Sequence, residues 1–131
     1  MRFLALLALL ATPAVAQDAP GLSATEFDAY VAGKTLSWAL AGQPWGTEEY
    51  LPNRQVQLAT RPGECQIGTW YESSGQICFA YQDRADTSCW IFRKTDTGLT
   101  AELQGPTGPL TLTESGQIAD GLPCPGPEVG V

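Results

Sequence analysis

Residues 66–81 read QIGTWYESSGQICFAY, two runs rich in aromatic and β-branched residues on either side of Ser74-Gly75. A Ser-Gly pair between two such runs is typical of a two-residue β-hairpin turn, because glycine accepts the positive φ that the turn requires. Counting back from the turn sets Trp70 opposite Phe79, and an aromatic pair across two strands stabilises that register. The centre of the chain is therefore predicted to be an antiparallel hairpin.

The same strand-like pattern repeats on both sides of this hairpin, in short runs divided by Gly, Pro and Asp. About eight short strands at this spacing predict a mainly β fold, a small antiparallel β-barrel or sandwich in which hairpins join neighbouring strands. The predicted strands cover residues 35–41, 48–51, 54–60, 66–72, 76–81, 89–94, 99–104 and 110–113.

One short N-terminal helix is predicted before the strands. Ser23 and Glu26 have the spacing of a capping box, and apolar residues then recur at helical intervals. Gly33 would end the helix, because glycine is common just after the last helical turn. The helix is therefore expected over about residues 24–32.

The first sixteen residues have the three parts of a secretory signal peptide. Arg2 supplies the positive start, residues 3–11 form a short apolar run, and Ala14-Val15-Ala16 has the form of a cleavage site. The apolar run stops before Pro13, well short of the ~20 residues that span a bilayer. We therefore expect cleavage after residue 16 and a periplasmic or secreted protein.

Beyond the signal peptide, residues 17–120 suit a single β domain, and residues 121–131 form a Pro- and Gly-rich tail. This part of the chain is acidic, with six basic and fourteen acidic residues and a net charge of −8. Such a surface repels phosphate groups, so we expect no nucleic acid and, after signal cleavage, no membrane as a partner. The expected partner is a small ligand or a basic protein, and the charge favours a basic one.

Four cysteines lie beyond the signal peptide, and an even number in an exported chain predicts disulfides. In the hairpin register Cys65 lies too far along the strands from Cys78 for a bond, whereas Cys78 and Cys89 flank one polar loop. Of the three pairings we therefore favour Cys78 with Cys89 and Cys65 with Cys124. The second bond would tether the tail, and the tail or the helix would cover the second apolar face of the central strands.

The residue types that common catalytic sites need are missing or unsuitably spaced. The chain has no histidine, and paired cysteines leave neither a thiol nucleophile nor zinc ligands. Glu48 and Glu49 are adjacent, so on a strand they point to opposite faces and cannot act as a pair unless a bulge turns one of them. Asp83, Asp86 and Asp96 lack the spacing of a calcium loop. We expect no catalytic residue, no metal site and no cofactor.

Aromatic residues are the most distinctive content of the chain. Trp70 and Trp90 fall on predicted strands and are expected in the core. Trp45 lies instead within residues 42–46, GQPWG, an expected exposed turn not far from Tyr50. An exposed tryptophan beside a tyrosine can bind a ligand or anchor a protein contact; the alternative is packing over a barrel mouth. Trp45 and Tyr50 are therefore the candidate ligand-binding residues.

Four segments occur in order along the chain: EYLPNR at residues 49–54, GTWY at 68–71, ICF at 77–79 and CW at 89–90. With their Gly-x-Trp and paired-Cys spacing, they resemble an uncharacterised family of small exported proteobacterial proteins, over roughly residues 27–94. The resemblance implies a compact β fold in which Cys78 is bonded to Cys89. It implies no activity.

Three hypotheses of function follow from these observations. The first is a non-catalytic binding module, favoured by the aromatic content, the rigid bridges and the missing catalytic residues. The second is an acidic inhibitor of a basic enzyme such as a lysozyme or a protease, favoured by the net charge. The third is a hydrolase that uses two carboxylates across a cleft. An open barrel mouth lined by Trp45 and Tyr50 would favour the first.

Overall fold

The computed structural model describes residues 20–124. The predicted signal peptide, residues 1–16, lies outside the described residues, and so does the part of the tail beyond Cys124. None of the helices within residues 20–124 is long and apolar enough to span a bilayer.

Eight antiparallel strands form one closed barrel, in which each strand pairs with the next along the chain and the last pairs with the first. Because hydrogen bonding continues around the whole circle, none of these eight strands in residues 20–124 is left as an unpaired edge. The prediction of a mainly β fold of about eight strands is confirmed, and of the two expected architectures the barrel is the one formed. The strands are β1 (Thr35–Leu40), β2 (Gln43–Leu51), β3 (Gln55–Arg61), β4 (Glu64–Ser73), β5 (Gln76–Tyr81), β6 (Ser88–Thr95), β7 (Gly98–Gly105) and β8 (Gly108–Ile118).

The central hairpin has the predicted register. Ser74 and Gly75 have φ angles of 50° and 75°, the positive values that a two-residue type I′ turn requires. Trp70 on β4 lies opposite Phe79 on β5, and both side chains are buried inside the barrel. Trp90 is buried as well, so both tryptophans expected in the core are found there.

One short helix, α1 (Ala24–Val31), closes one end of the barrel. It begins with the predicted capping box, in which Ser23 and Glu26 each accept a hydrogen bond from the other's backbone N–H. Phe27 is fully buried, and its ring centre lies 4.5 Å from that of Phe92. Burying a phenylalanine contributes about 1.5–3 kcal/mol, so this one side chain supplies much of what holds α1 on the barrel.

The helix does not cover the outer face of the central strands, and most of the tail, the other expected cover, lies outside the described residues. Ile67 and Tyr71 on the outer face of β4 are exposed over 45% and 43% of their surface. The physical reason lies in Phe27, which buries its whole ring inside the barrel end, whereas an outer face would cover it on one side only.

The expected exposed turn at residues 42–46 lies mostly within β2. Ala41 and Gly42, with φ angles of 49° and 78°, form the turn instead. The pairing of β1 with β2 shifts by one residue and leaves Trp45 as the extra residue of a β-bulge. A bulge re-aims the side chain of its extra residue, and Trp45 is accordingly half-buried rather than exposed.

Both favoured disulfides are present, Cys78–Cys89 and Cys65–Cys124. The first joins residues directly opposite each other on β5 and β6, and the second tethers the chain after β8 to β4. In the chain-entropy model, bonds across sequence separations of 11 and 59 stabilise by about 3 and 4 kcal/mol. The smaller loop lies inside the larger one, so the two contributions do not simply add. Two disulfides indicate an oxidising environment.

Candidate functional site

A cavity opens at the end of the barrel that α1 leaves free. Its volume is about 260 Å³, and Phe92, which lines it, also contacts Phe27 of α1. The entrance lies at the loop after β5, where Arg84 and Asp86 are found, and near Leu103 at the end of β7. Leucine and aromatic side chains form most of the wall, as in many small-molecule sites.

Two tryptophans from opposite sides of the barrel meet across this cavity. Trp45 is on β2 and Trp90 on β6, four strands apart in a circle of eight. Their ring centres are 6.3 Å apart and their planes are inclined at 69°, an edge-to-face contact. Because the bulge turns Trp45 toward the entrance, the pair narrows the mouth of the barrel.

Glu48 is the only charged side chain among residues 20–124 that is buried. Its carboxyl group accepts a hydrogen bond from the Tyr50 hydroxyl at 2.6 Å and one from the Tyr81 hydroxyl at 2.5 Å, each on a different oxygen. The exposed fractions of the three residues are 6%, 1% and 7%. Glu48 also lines the cavity, so a carboxyl group held between two phenols forms part of its wall.

Strand alternation explains the position of this carboxyl group. Glu48 and Tyr50 are two residues apart on β2, so both point into the barrel, whereas Glu49 points outward. There the Glu49 carboxylate accepts a hydrogen bond from the backbone N–H of Leu122 at 2.9 Å. The prediction that the adjacent glutamates face opposite sides is confirmed.

Gly68 makes room for Tyr81. The two residues lie opposite each other on β4 and β5. A β-carbon at position 68 would lie 2.8 Å from the Tyr81 ring and 2.5 Å from the carbonyl oxygen of Ala80. Without that carbon, the Tyr81 ring packs close to the glycine backbone and carries its hydroxyl to Glu48. The glycine of the Gly-x-Trp spacing therefore helps to build the site.

Burial sets the protonation of this cluster. Loss of water raises the pKa of the Glu48 carboxyl group, and hydrogen bonds from Tyr50 and Tyr81, together with the nearby Trp38 N–H, partly lower it. Burial, followed by the charge of Glu48, raises the pKa of Tyr50 and of Tyr81 well above the ordinary tyrosine value. Both phenols therefore keep their protons and remain hydrogen-bond donors.

The indole of Trp38 on β1 is a third donor at the cluster. Its N–H lies beside Glu48 and Tyr50 but completes no hydrogen bond, and the nitrogen has no partner within residues 20–124. Trp38 is buried and lines the cavity. A buried N–H without a partner costs about 1–3 kcal/mol, and a polar group that enters the cavity would meet it.

The rim of the cavity carries one positive and one negative side chain. Arg84 and Asp86 are exposed and line the entrance. The guanidinium carbon of Arg84 lies 6.0 Å from the centre of the Tyr81 ring. The cation is thus held over an aromatic face at the mouth.

The two predicted ligand-binding residues have different positions. Trp45 lines the cavity, whereas Tyr50 is buried behind the wall and reaches it through the hydrogen bond to Glu48. The sequence patterns did not predict a role in the site for Glu48, Tyr81 or Trp38. Alternation could have indicated Glu48, because an inward Tyr50 requires an inward residue two positions earlier.

A second pocket of about 450 Å³ lies between β2, β3 and the segment after β8. Trp45 and Arg61 border it, together with Leu122, two residues before the Cys124 tether. Trp38 and Trp45 line both the cavity and this outer pocket.

The three aspartates considered as calcium ligands, Asp83, Asp86 and Asp96, do not form a metal site in the described part of the chain. Within residues 20–124, no three carboxylate or thiol side chains are grouped closely enough to hold a metal ion.

No family model, no curated protein and no solved structure matches this chain.

Proposed function

We propose that this protein is an exported, non-catalytic binding module, periplasmic or secreted, that holds a small ligand in the open end of its barrel. The observation that carries the proposal is the position of Glu48, a buried carboxyl group on the wall of an otherwise apolar cavity. Apolar walls with a few convergent polar groups are the ordinary form of a small-molecule site.

The cost of burying Glu48 supports a functional role. Removing a carboxylate from water costs several kcal/mol unless a cation compensates for it, and its neighbours here are two phenols and an indole. A neutral residue of similar volume would fill the position at a lower cost. Ionisable groups kept in such surroundings are concentrated at functional sites.

The volume of the cavity limits the size of the ligand. About 260 Å³ is slightly below the roughly 300–1,000 Å³ of pockets for drug-sized molecules. One aromatic ring with a short substituent, or the end of a longer molecule, suits this space. The rings of Trp45 and Trp90 provide flat apolar faces for such a ligand.

A matched pair of tryptophan substitutions tests the location of the site. Leu110 on β8 lines the mouth, and the next residue, Thr111, is exposed on the outside. Leu110→Trp should fill the mouth, whereas Thr111→Trp adds the same side chain outside the barrel. A library of small aromatic fragments is then screened by ligand-observed NMR against the oxidised protein and both variants.

The proposal expects fragments that bind the native chain and the Thr111→Trp variant but not the Leu110→Trp variant. Their binding should shift the indole resonances of Trp45 and Trp90. Absence of any binding fragment, or binding that Leu110→Trp leaves unchanged, would overturn the proposal.

A carboxylate-based hydrolase is the second candidate, because Glu48 and Asp86 both line the cavity, one buried and one exposed. Turnover of chromogenic glycosides that both Glu48→Gln and Asp86→Asn abolish would favour it over simple binding. The inhibitor of a basic enzyme remains a prediction from net charge.

A further inference from the structure

The polar groups that the described residues place beside the Glu48 carboxyl group can all donate a hydrogen bond. The Tyr50 and Tyr81 hydroxyls donate to its two oxygens, and the Trp38 N–H lies beside it. Three donors around a carboxyl group suit the ionised form, which only accepts hydrogen bonds. These donors therefore favour a carboxylate inside the barrel, against the opposing effect of burial on its pKa.

Within the described residues, no Lys or Arg forms an ion pair with that carboxyl group. The only ion pair between residues of the described range joins Arg93 to Glu102. Five of the six basic residues in the described range lie away from the cavity: Arg93 at Glu102, Lys34 and Lys94 at the Tyr30 ring, Arg54 at the Trp70 ring and Arg61 at the outer pocket. The sixth, Arg84, is exposed at the rim over the Tyr81 ring and forms no ion pair with Glu48 within that range.

The walls next to the carboxylate suit a positive charge. Trp45, Trp90 and Tyr81 line the same cavity, and aromatic faces attract cations through the ring quadrupole. The net charge of −7 also raises the local concentration of cations near the protein. Carboxylate, aromatic faces and overall charge therefore favour the same kind of ligand.

We propose that the cavity binds a small protonated organic amine, whose ammonium group contacts Glu48 and whose apolar part lies against Trp45 and Trp90. This inference rests on the proposed binding function and specifies its ligand class. The ammonium would supply the counter-charge that the buried carboxylate lacks within the described residues.

Three probes of nearly equal shape test the charge of the ligand: benzylamine, benzyl alcohol and benzoate. Their binding to the oxidised native protein is measured by ligand-observed NMR, with Glu48→Gln and Glu49→Gln as the variant and its matched control. Glu49 carries the same group on the outside of the barrel. We expect benzylamine to bind at least about tenfold more tightly than either other probe, and Glu48→Gln alone to lose that preference.

A pH series on the native protein gives a second readout that needs no variant. Benzylamine affinity should fall as the pH drops through the titration of Glu48, while benzyl alcohol binding stays constant. The groups that face this carboxyl are Tyr50, Tyr81 and Trp38, with Arg84 and Asp86 at the rim. Both phenols have a raised pKa, the first cause being burial, and neither titrates in this range.

Tighter binding of benzyl alcohol or benzoate, or no benzylamine binding while other fragments enter the mouth, would overturn the amine inference and leave the proposed function standing. If no fragment enters the mouth, both fail. Equal loss of benzylamine binding in Glu48→Gln and Glu49→Gln would also overturn the inference.

Discussion

The hydroxyl of Tyr81 donates a hydrogen bond to Oε1 of Glu48, 33 residues away in sequence, across 2.5 Å of the barrel interior. The two residues lie on β5 and β2, which are not neighbouring strands. Barrel closure is therefore what brings the phenol to the carboxyl group.

Replacing Glu48 with glutamine should make the protein more stable. The amide keeps the shape and still bonds to both phenols, but it carries no charge to desolvate, so we expect a gain of about 1–3 kcal/mol in the free energy of unfolding. Urea unfolding at neutral pH measures it. Glu49→Gln is the control and should change little, because its side chain is only half-buried and the amide oxygen can still accept the hydrogen bond from the Leu122 N–H. A less stable Glu48→Gln protein would contradict the account.

The stability difference between native protein and Glu48→Gln should depend on pH. The folded pKa of Glu48 lies above its unfolded value of 4.5. The contribution of Glu48 to the free energy of unfolding is therefore fully present below pH 4.5. It is lost as the pH rises through the folded pKa. The two proteins should therefore differ little in acid and diverge toward neutral pH, as followed by urea unfolding at several pH values. A constant difference would mean that Glu48 does not titrate in this way.

Gly68→Ala should destabilise the barrel and disturb the site. The added carbon meets the Ala80 carbonyl oxygen and the Tyr81 ring, and overpacking of this kind costs about 1–3 kcal/mol. Gly116→Ala on β8 is the matched control, since an added carbon there meets nothing within 4 Å. Thermal unfolding compares the two, and equal stability of both variants would disprove the role given to Gly68.

Phe27→Ala should loosen the helix that closes the barrel. Removing a fully buried phenylalanine costs about 3–5 kcal/mol, because the cavity left behind adds to the lost burial. Asp28→Ala, at the next and exposed position of α1, should change stability by about 0.5 kcal/mol or less. Urea unfolding of both variants is the measurement. Similar effects at the two positions would show that Phe27 does not anchor α1.

Local patterns predicted much of this fold. The Ser74-Gly75 turn was sufficient to predict the register of β4 with β5. That register in turn helped to predict the Cys78–Cys89 bond. The Ser23 capping box likewise predicted where α1 begins. In each case the interacting residues are close in sequence, so turn and helix geometry alone decides their contact.

Long-range features were not predictable in the same way. Pairing of β1 with β8 decides between barrel and sandwich, and it depends on strand twist accumulated over the whole sheet. The β-bulge that turns Trp45 toward the mouth has no marker in its own residues. The inward position of Glu48 could have been predicted from strand alternation with Tyr50. Its contact with Tyr81 could not, because only the closed barrel brings the two residues together.

The most direct test of the site is the titration of the Glu48 carboxyl group itself, followed by its ¹³Cδ resonance in selectively labelled, oxidised protein. With the cavity empty, the midpoint should lie above 4.5, and saturating benzylamine should lower it. A midpoint at or below 4.5 that benzylamine leaves unchanged would contradict the claim that a buried carboxyl group is the functional centre of this barrel.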